Sequence, residues 1–396
     1  MNQSLLYNAQ LILENGIERG AVLIRDGLIV ELFKGDEVPT GFASEERIDI
    51  GGKCLAPGMI DIHIHGSAGV DVQNTDEEGL SKLSEFLLRE GVTGYFATFV
   101  PTDDDGYNRA IETVCRYIER QDSPDSDDKV RRGARIIGIH FEGPFVSEHR
   151  CGALQRQHFR TYSGDPHSVK LFTSPPCPRV MTIAPETEGG IDLIRELTQK
   201  GARAFIGHTQ ADPVILDQAV EAGAHHITHF PNALDPLHHR KPGAVGWGLV
   251  RREVSMDCIA DFHHVHPMML QLMYQSKGAD RLALISDAIM PAGLGDGEYT
   301  VWGDPIAVKD GRTALKEGPA QGAIAGSVIT MRDALRNIIF TGVPVHEALK
   351  MSSLAPSRAA GIDKLYGSIE KGKRADLIVI DQGLLIELAF TSGRAI

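Results

Sequence analysis

The 396-residue chain has no uninterrupted apolar run near the ~20 residues that a membrane-crossing helix requires. Its opening, MNQSLLYNAQLILENG, has neither a basic n-region nor a small-residue cleavage site, so the sequence predicts no secretory leader. Positive charge is in deficit. The formal net charge of −13 argues against a general binder of nucleic acid or of anionic membrane. Cysteine is scarce as well: Cys54, Cys115, Cys151, Cys177 and Cys258 are scattered, odd in number and free of any CxxC pair. That excludes a disulfide scaffold and a cysteine-ligated zinc knuckle, and it fits a reducing, cytoplasmic compartment. Neither internal repeats nor low-complexity tracts occur. With 42% apolar and 23% charged residues, the composition excludes a disordered chain, a coiled coil and a collagen-like repeat.

What is present is glycine (42), proline (20) and histidine (16), a mixture that suits a fold with many tight loops. The length suggests one large domain of about 250–300 residues with a small companion. At the N-terminus, LLYNAQLILENG, ERGAVLIRDG and LIVELFKGDEV read as short strands ended by glycine. The C-terminus echoes them with Gly367-Ser368-Ile369, then Ala375–Ile380, then Leu385–Phe390. Neither end can build a core alone. The reading is a small β-sandwich domain made from both termini, residues 1–54 and 356–396, around a central domain at 55–355.

The centre carries eight candidate parallel strands: Gly58–His63, Gly94–Phe99, Ile136–Phe141, Val180–Ile183, Ala204–Gly207, His226–Thr228, Asp257–Ile259 and Leu282–Ser286. Helical patterns lie between them, among them Glu78–Arg89, Gly190–Lys200, Asp212–Ala222 and Pro267–Lys277, while Gln121–Lys129 reads as a polar, acidic loop. Eight βα repeats over about 300 residues match a (β/α)8 TIM barrel of the α/β class. No GxGxxG comes after the first strand, which weighs against a doubly wound nucleotide-binding sheet.

Chemistry in a barrel belongs at the C-terminal strand ends. His63 and His65 close the first strand two residues apart, so both imidazoles point to one side. Such a pair alone is a weak signal. Glu142 closes strand three at a Gly143-Pro144 mouth, His208 closes strand five, His229 strand six and Asp287 strand eight. Five strands ending in ligand-type side chains point to a divalent metal, and the nitrogen–carboxylate mixture suits Zn²⁺ or Fe²⁺ better than Mg²⁺ or Ca²⁺. His140 and Asp61 share a parity with the candidate ligands and read as supporting residues one layer deeper. His225 and His226 read as structural, with His226 facing away from the site.

Pro57-Gly58-Met59-Ile60-Asp61-x-His63-x-His65-Gly66, with the closing Gly367-Ser368-Ile369…Gly372-Lys373-x-Ala375-Asp376-Leu377, resembles the amidohydrolase superfamily. More narrowly, His140-Phe141-Glu142-Gly143-Pro144, Gly207-His208-Thr209, Thr228-His229-x-x-Asn232-Ala233, His238-His239-Arg240-x-Pro242-Gly243, Ile259-Ala260-Asp261-x-His263-His264 and Ser286-Asp287-Ala288 look like the N-acetylglucosamine-6-phosphate deacetylase family. The resemblance implies a metal on Glu142, His208 and His229, and a second ion on His63 and His65. It also implies Asp287 as general base and acid, and substrate contacts from Ala153, Asn232, Ala233, Arg240, His264, Ile324, Ala325 and Gly326. The expected reaction is hydrolysis of the acetamide of N-acetyl-D-glucosamine 6-phosphate, in a homodimer whose Arg240 crosses to the partner's site. His264 is suited to the developing oxyanion or to a sugar hydroxyl, and Arg240 to a phosphate clamp. Three positions depart from the family pattern: Leu154, Pro231 and Phe262. All three fall beside the sugar pocket. The rival readings are an N-acetylgalactosamine 6-phosphate deacetylase, a cyclic-amide hydrolase and a non-catalytic scaffold on the same fold.

Overall fold

Eight of the short apolar runs of the central region pair side by side in a computed structural model, which describes residues 3–35, 47–123, 130, 132–318 and 321–396. The strands are Met59–Ile64, Val92–Phe99, Arg135–Glu142, Arg179–Ile183, Arg203–Ile206, His226–Ile227, Ser255–Ile259 and Leu282–Ile285. They form one parallel sheet in chain order, first to eighth. Hydrogen bonds close the barrel at its upper rim: Asp287 N donates to His63 O (2.9 Å) and His65 N to Ala288 O (2.9 Å). This is the (β/α)8 TIM barrel expected from the eightfold repeat. The strand limits fall close to the sequence reading because each run is bounded by glycine, proline or a polar turn.

The helices arise from amphipathic pattern and capping. Glu77–Arg89 starts at Asp76, whose carboxylate accepts from Gly79 N, and carries Glu77 and Glu78 in its first turn where the helix dipole favours them. Its apolar stripe of Leu80, Leu83, Leu87 and Leu88 packs on the sheet. Gly190–Gln199, Pro213–Ala222 and Pro267–Lys277 likewise bury one stripe, the last two with side-chain caps from Asp212 and His266. Among the described residues no helix is long and apolar enough to cross a membrane. Of the polar Gln121–Lys129 stretch, residues 124–129 lie outside the described residues.

Both termini build an eight-stranded curled sheet. Gln3–Leu13 pairs with Gly16–Arg25, which pairs with Leu28–Lys34. From the other end, Leu377–Ile380 joins Ile386–Thr391 and Cys54–Pro57. The sheet closes over its own core of Leu6, Leu11, Val22, Ile24, Leu55, Leu377, Val379 and Phe390. Cys54–Pro57 runs straight on to the first barrel strand, so the sheet holds the root of the strand that ends in His63 and His65.

One element was not anticipated. Gly297–Val301, Asp304–Lys309 and Arg312–Leu315 form a three-stranded antiparallel sheet after the eighth barrel strand, and it packs on Ile289, Ala153 and Ala325 at the barrel mouth.

Candidate metal centre

Every ligand-type residue expected from a strand end lies buried at the upper mouth of the barrel. They assemble as two triads. In the first, Glu142 Oε1 is 3.0 Å from His208 Nε2 and 3.0 Å from His229 Nε2, and the two nitrogens are 3.0 Å apart. In the second, His63 Nε2 and His65 Nε2 are 3.2 Å apart, and Asp287 Oδ1 lies 3.4 and 3.3 Å from them. Glu142 joins the triads, since its Oε2 is 3.3 Å from His65 Nε2 and its Oε1 is 3.6 Å from His63 Nε2. Asp287 therefore stands with the imidazole pair as a potential ligand, in addition to the proton-transfer role the resemblance implies.

The strand ends present these groups through an unusual backbone. His208, His229 and Asp287 all lie in the left-handed region, with φ of +49°, +34° and +48°. Non-glycine residues occupy it only when their surroundings over-determine them, and they concentrate at functional sites. Here Asp287 is held by Asp287 N to His63 O and by Ser327 N to Asp287 O (2.8 Å). Asp257, at the middle of the seventh strand, accepts from His229 N. Gly152 brings the backbone close to His208: a Cβ there would sit 3.5 Å from the imidazole.

The hydrogen bonds at Nδ1 set the tautomers. His208 Nδ1 lies 2.7 Å from Arg150 O, and His65 Nδ1 lies 3.3 Å from Thr98 O. A carbonyl only accepts, so each Nδ1 carries a proton, and Nε2 is the nitrogen that faces the centre, where a metal would take the place of any proton it holds. Lone pairs and carboxylate oxygens 3.0–3.4 Å apart repel unless a cation lies among them. A metal with bonds of about 2.0–2.1 Å in tetrahedral geometry spaces its ligands by about 3.3 Å, so the donor set fits. The charges make the same demand. Burial works to raise the Glu142 carboxyl, but the neighbouring His63 charge and the hydrogen bonds of His208 and His229 hold it well below the usual range. Burial works to lower His65, and is overcome by Asp287 and Glu142, which carry it up to about 10. The carboxylates call for positive charge at this point.

The supporting layer is also buried. Asp61 accepts from His63 N (3.2 Å) and from the Ser286 hydroxyl, which ties the first ligand strand to the eighth. His140 donates from Nδ1 to Ile62 O (2.8 Å) and accepts at Nε2 from Thr182 Oγ1 (2.8 Å), with its ring 4.6 Å from that of His63. Burial, and then the His63 charge, depress its pKa well below the ordinary histidine value.

The expected orientation of His226 is corrected. It does not face away: its ring lies 4.1 Å from Phe205, with Nε2 2.8 Å from Asp257 Oδ2 and Nδ1 2.7 Å from Ser255 Oγ, whereas His225 is exposed. Strict alternation fails because the sixth strand is only two residues long and turns at His229. Sequence reasoning also missed Asp257, Thr98, Asp71 and Trp302. Asp257 is a carboxylate inside an apolar strand, which is a readable signal. Trp302 is one of two tryptophans, next to a glycine turn.

Around the triads, His264 Nδ1 is 2.6 Å from Asp261 Oδ2, and Asp261 Oδ1 accepts from the backbone N–H groups of His263 and His264. Nε2 is then the nitrogen His264 offers outward. Ala153 and Ala325 pack with Trp302, Met290 and Ile289, while Gly326 lies at φ +62° beside Asp287 O. Asn232 donates to His229 O (2.9 Å), and Ala233 is left-handed at φ +53°. Leu154 is packed with Val100 and Val146, and the neighbouring Gln155 donates its amide to Trp302 O (2.9 Å) and Asp304. Arg240 is exposed on a turn closed by a bridge between His238 and Lys241, with its guanidinium against the His239 ring.

A (β/α)8 barrel with histidines and carboxylates gathered at five strand ends defines a metal-dependent hydrolase architecture, and the chain belongs to the amidohydrolase family, whose sequence profile matches residues 54–394. It is 34% identical over 401 residues to the N-acetylglucosamine-6-phosphate deacetylase of Bacillus subtilis (strain 168), covering 99% of this chain and 97% of that one. It is 33% identical over 387 residues to the N-acetylgalactosamine-6-phosphate deacetylase of Escherichia coli O157:H7, covering 97% of each. The crystal structure of N-acetylglucosamine-6-phosphate deacetylase from Pasteurella multocida superposes with a TM-score of 0.87 at 26% identity, over 100% of this chain and 99% of that one.

Proposed function

We propose that this enzyme removes the acetyl group from N-acetyl-D-glucosamine 6-phosphate, giving D-glucosamine 6-phosphate and acetate. The observation that carries the reading is the pair of buried triads joined by Glu142, in a chain that matches deacetylases of 6-phosphorylated amino sugars along almost its whole length. Glu142, His208 and His229 would hold one divalent ion, and His63 and His65 with Asp287 Oδ1 a second. Zn²⁺ or Fe²⁺ suits this donor set. A bound divalent ion supplies a water of lowered pKa and polarises the carbonyl oxygen.

The chain's own groups do the rest. The Asp287 carboxylate accepts the water's proton and delivers it to the leaving nitrogen, so that the amine departs neutral. His264, held by Asp261, offers Nε2 to the carbonyl oxygen or to a sugar hydroxyl. Ala153, Ala325, Ile324 and Gly326 line the sugar, with Asn232 and Ala233 beside the His229 turn. Arg240, on its exposed tip, reaches the 6-phosphate of a neighbouring subunit's substrate in a homodimer. Residues 55–355 act as the catalytic unit, and residues 1–54 with 356–396 as the terminal unit beneath it. Five free thiols suit a reducing cytoplasm.

Initial rates on N-acetylglucosamine 6-phosphate, N-acetylgalactosamine 6-phosphate and both unphosphorylated sugars test the reading. The phosphorylated gluco sugar should have the highest kcat/KM. A higher value for the galacto sugar would transfer the assignment to that substrate, and no turnover of any of the four by metal-loaded protein would end it.

A further inference from the structure

Trp302 sits where its residue type is out of place. Val301 pairs with Asp304, so Trp302 and Gly303 are the two loop residues of a tight hairpin, with φ of +52° and +88°. Such turns favour asparagine, aspartate or glycine at the first of these positions, and a bulky residue there is strained. Trp302 is nevertheless held at three points, two of them on the indole. Its Nε1–H donates to Asp71 Oδ2 (2.9 Å), its backbone oxygen accepts from Gln155 Nε2 (2.9 Å), and its ring meets the His65 imidazole edge-on, with centroids 5.1 Å apart at 80°. Asp71 is itself locked: its Oδ1 accepts from Gln73 N (3.1 Å), Asn74 N (2.9 Å) and Asn74 Nδ2 (3.0 Å).

His65 needs this support. Its Nδ1 hydrogen bond is 3.3 Å long, against 2.7 Å for that of His208. The other imidazole of the triad, His63, has a buried Nδ1 without a hydrogen-bond partner. Ring orientation here therefore depends on packing. Among the described residues, the only aromatic side chain other than histidine that meets either ring is Trp302.

We infer that Trp302, latched by Asp71, is a positioning residue that aims His65 Nε2 and so sets the metal affinity of the His63–His65–Asp287 site without serving the Glu142–His208–His229 site. The inference rests on the two-site reading of the proposed function. Loss of a group that orients a metal ligand typically weakens binding by about 10–100-fold.

Chelator-stripped protein is titrated with Co²⁺, and both equivalents are followed by cobalt absorption. Trp302→Asn places a favoured residue in the turn, so the hairpin keeps its backbone and thermal stability should not fall. Taking the first equivalent as the one held by Glu142, His208 and His229, the second should weaken by about 10–100-fold while the first is unchanged. Trp302→Phe keeps a ring edge but loses the N–H donor, and should fall between the two. In a Trp247→Phe background, with Trp302 the sole tryptophan, emission should change on the second equivalent and not on the first. Two unchanged equivalents in Trp302→Asn, or equal weakening of both, would overturn the assignment. A wild-type protein that takes up one equivalent only would remove the site Trp302 is said to serve, and would leave the hydrolase reading at the Glu142 site standing.

Discussion

Replacing Glu142 with Gln should weaken both metal equivalents, which no single histidine change should do. The carboxylate meets His208 and His229 through Oε1 at 3.0 Å, and His65 through Oε2 at 3.3 Å. Gln preserves the volume and one oxygen but removes the charge. Two unit charges 4 Å apart interact by about 4 kcal/mol at an effective dielectric near 20. A divalent ion at bonding range feels at least that, so the expected loss is about 10³-fold or more at each site. His229→Ala, by contrast, should abolish the first equivalent and leave the second within about tenfold, because its Nε2 belongs to one triad. Cobalt titration of stripped protein resolves the two binding steps. If Glu142→Gln weakened one equivalent only, Glu142 would not be shared and the joined-triad geometry would be wrong.

Asp287→Asn should retain the fold and at least the first metal equivalent, yet lower kcat by roughly 10²–10⁴, the usual contribution of a general acid–base group. Steady-state rates at matched metal content measure this, and near-wild-type turnover would assign the proton transfer elsewhere, with His264 the first group to test. Arg240→Ala should lower kcat/KM on the phosphorylated sugar by roughly ten- to 150-fold, the equivalent of about 1.5–3 kcal/mol for a charge-assisted contact, and should leave the plain sugar nearly unaffected. Mixing this variant with Asp287→Asn should restore activity if sites are shared between subunits; equal losses on both sugars would place Arg240 in the fold and not at the phosphate.

The barrel was legible because its strands are buried on both faces. Ile-, Val- and Phe-rich runs of about four to eight residues bounded by Gly or Pro, alternating with amphipathic helices, seldom form anything but a parallel sheet. The gathering of the candidate ligands was legible because strand ends are where a barrel keeps its chemistry, so the meeting of His63, Glu142, His208, His229 and Asp287 could be expected from position alone. The hairpin sheet was not. Gly297–Val301 and its partners are short, half-exposed and polar, and nothing in that sequence says that the turn folds back onto the metal site. Trp302 reaches His65 across more than half of the chain, a contact set by tertiary packing. Leu154 is a similar case: its departure from the family pattern is plain in sequence, but the pocket of Val100 and Val146 that receives it is not.

Asp257 and His226 show where alternation misleads, and the misplacement bears on the metal. A two-residue strand followed two residues later by the left-handed His229 has no lasting parity, so counting from His229 turned His226 the wrong way. The structure instead places a buried chain of hydrogen bonds beneath the first triad, from Ser255 Oγ to His226, to Asp257, to the backbone N–H of His229. Asp257→Ala removes the acceptor of two buried donors, His229 N and His226. At about 1–3 kcal/mol for each unsatisfied group, the variant should lose roughly 2–6 kcal/mol of stability in chemical denaturation. With the strained His229 backbone released, the first metal equivalent should weaken by about 10–100-fold and the second far less. Asp257→Asn should recover most of both, because its oxygen still accepts from His229 N while its amide can donate to His226 after a tautomer change that lets Nδ1–H donate to Ser255 Oγ. An Ala variant that binds the first equivalent as tightly as wild type would show that His229 holds its conformation without Asp257, and that the hydrogen-bond chain serves the barrel wall alone.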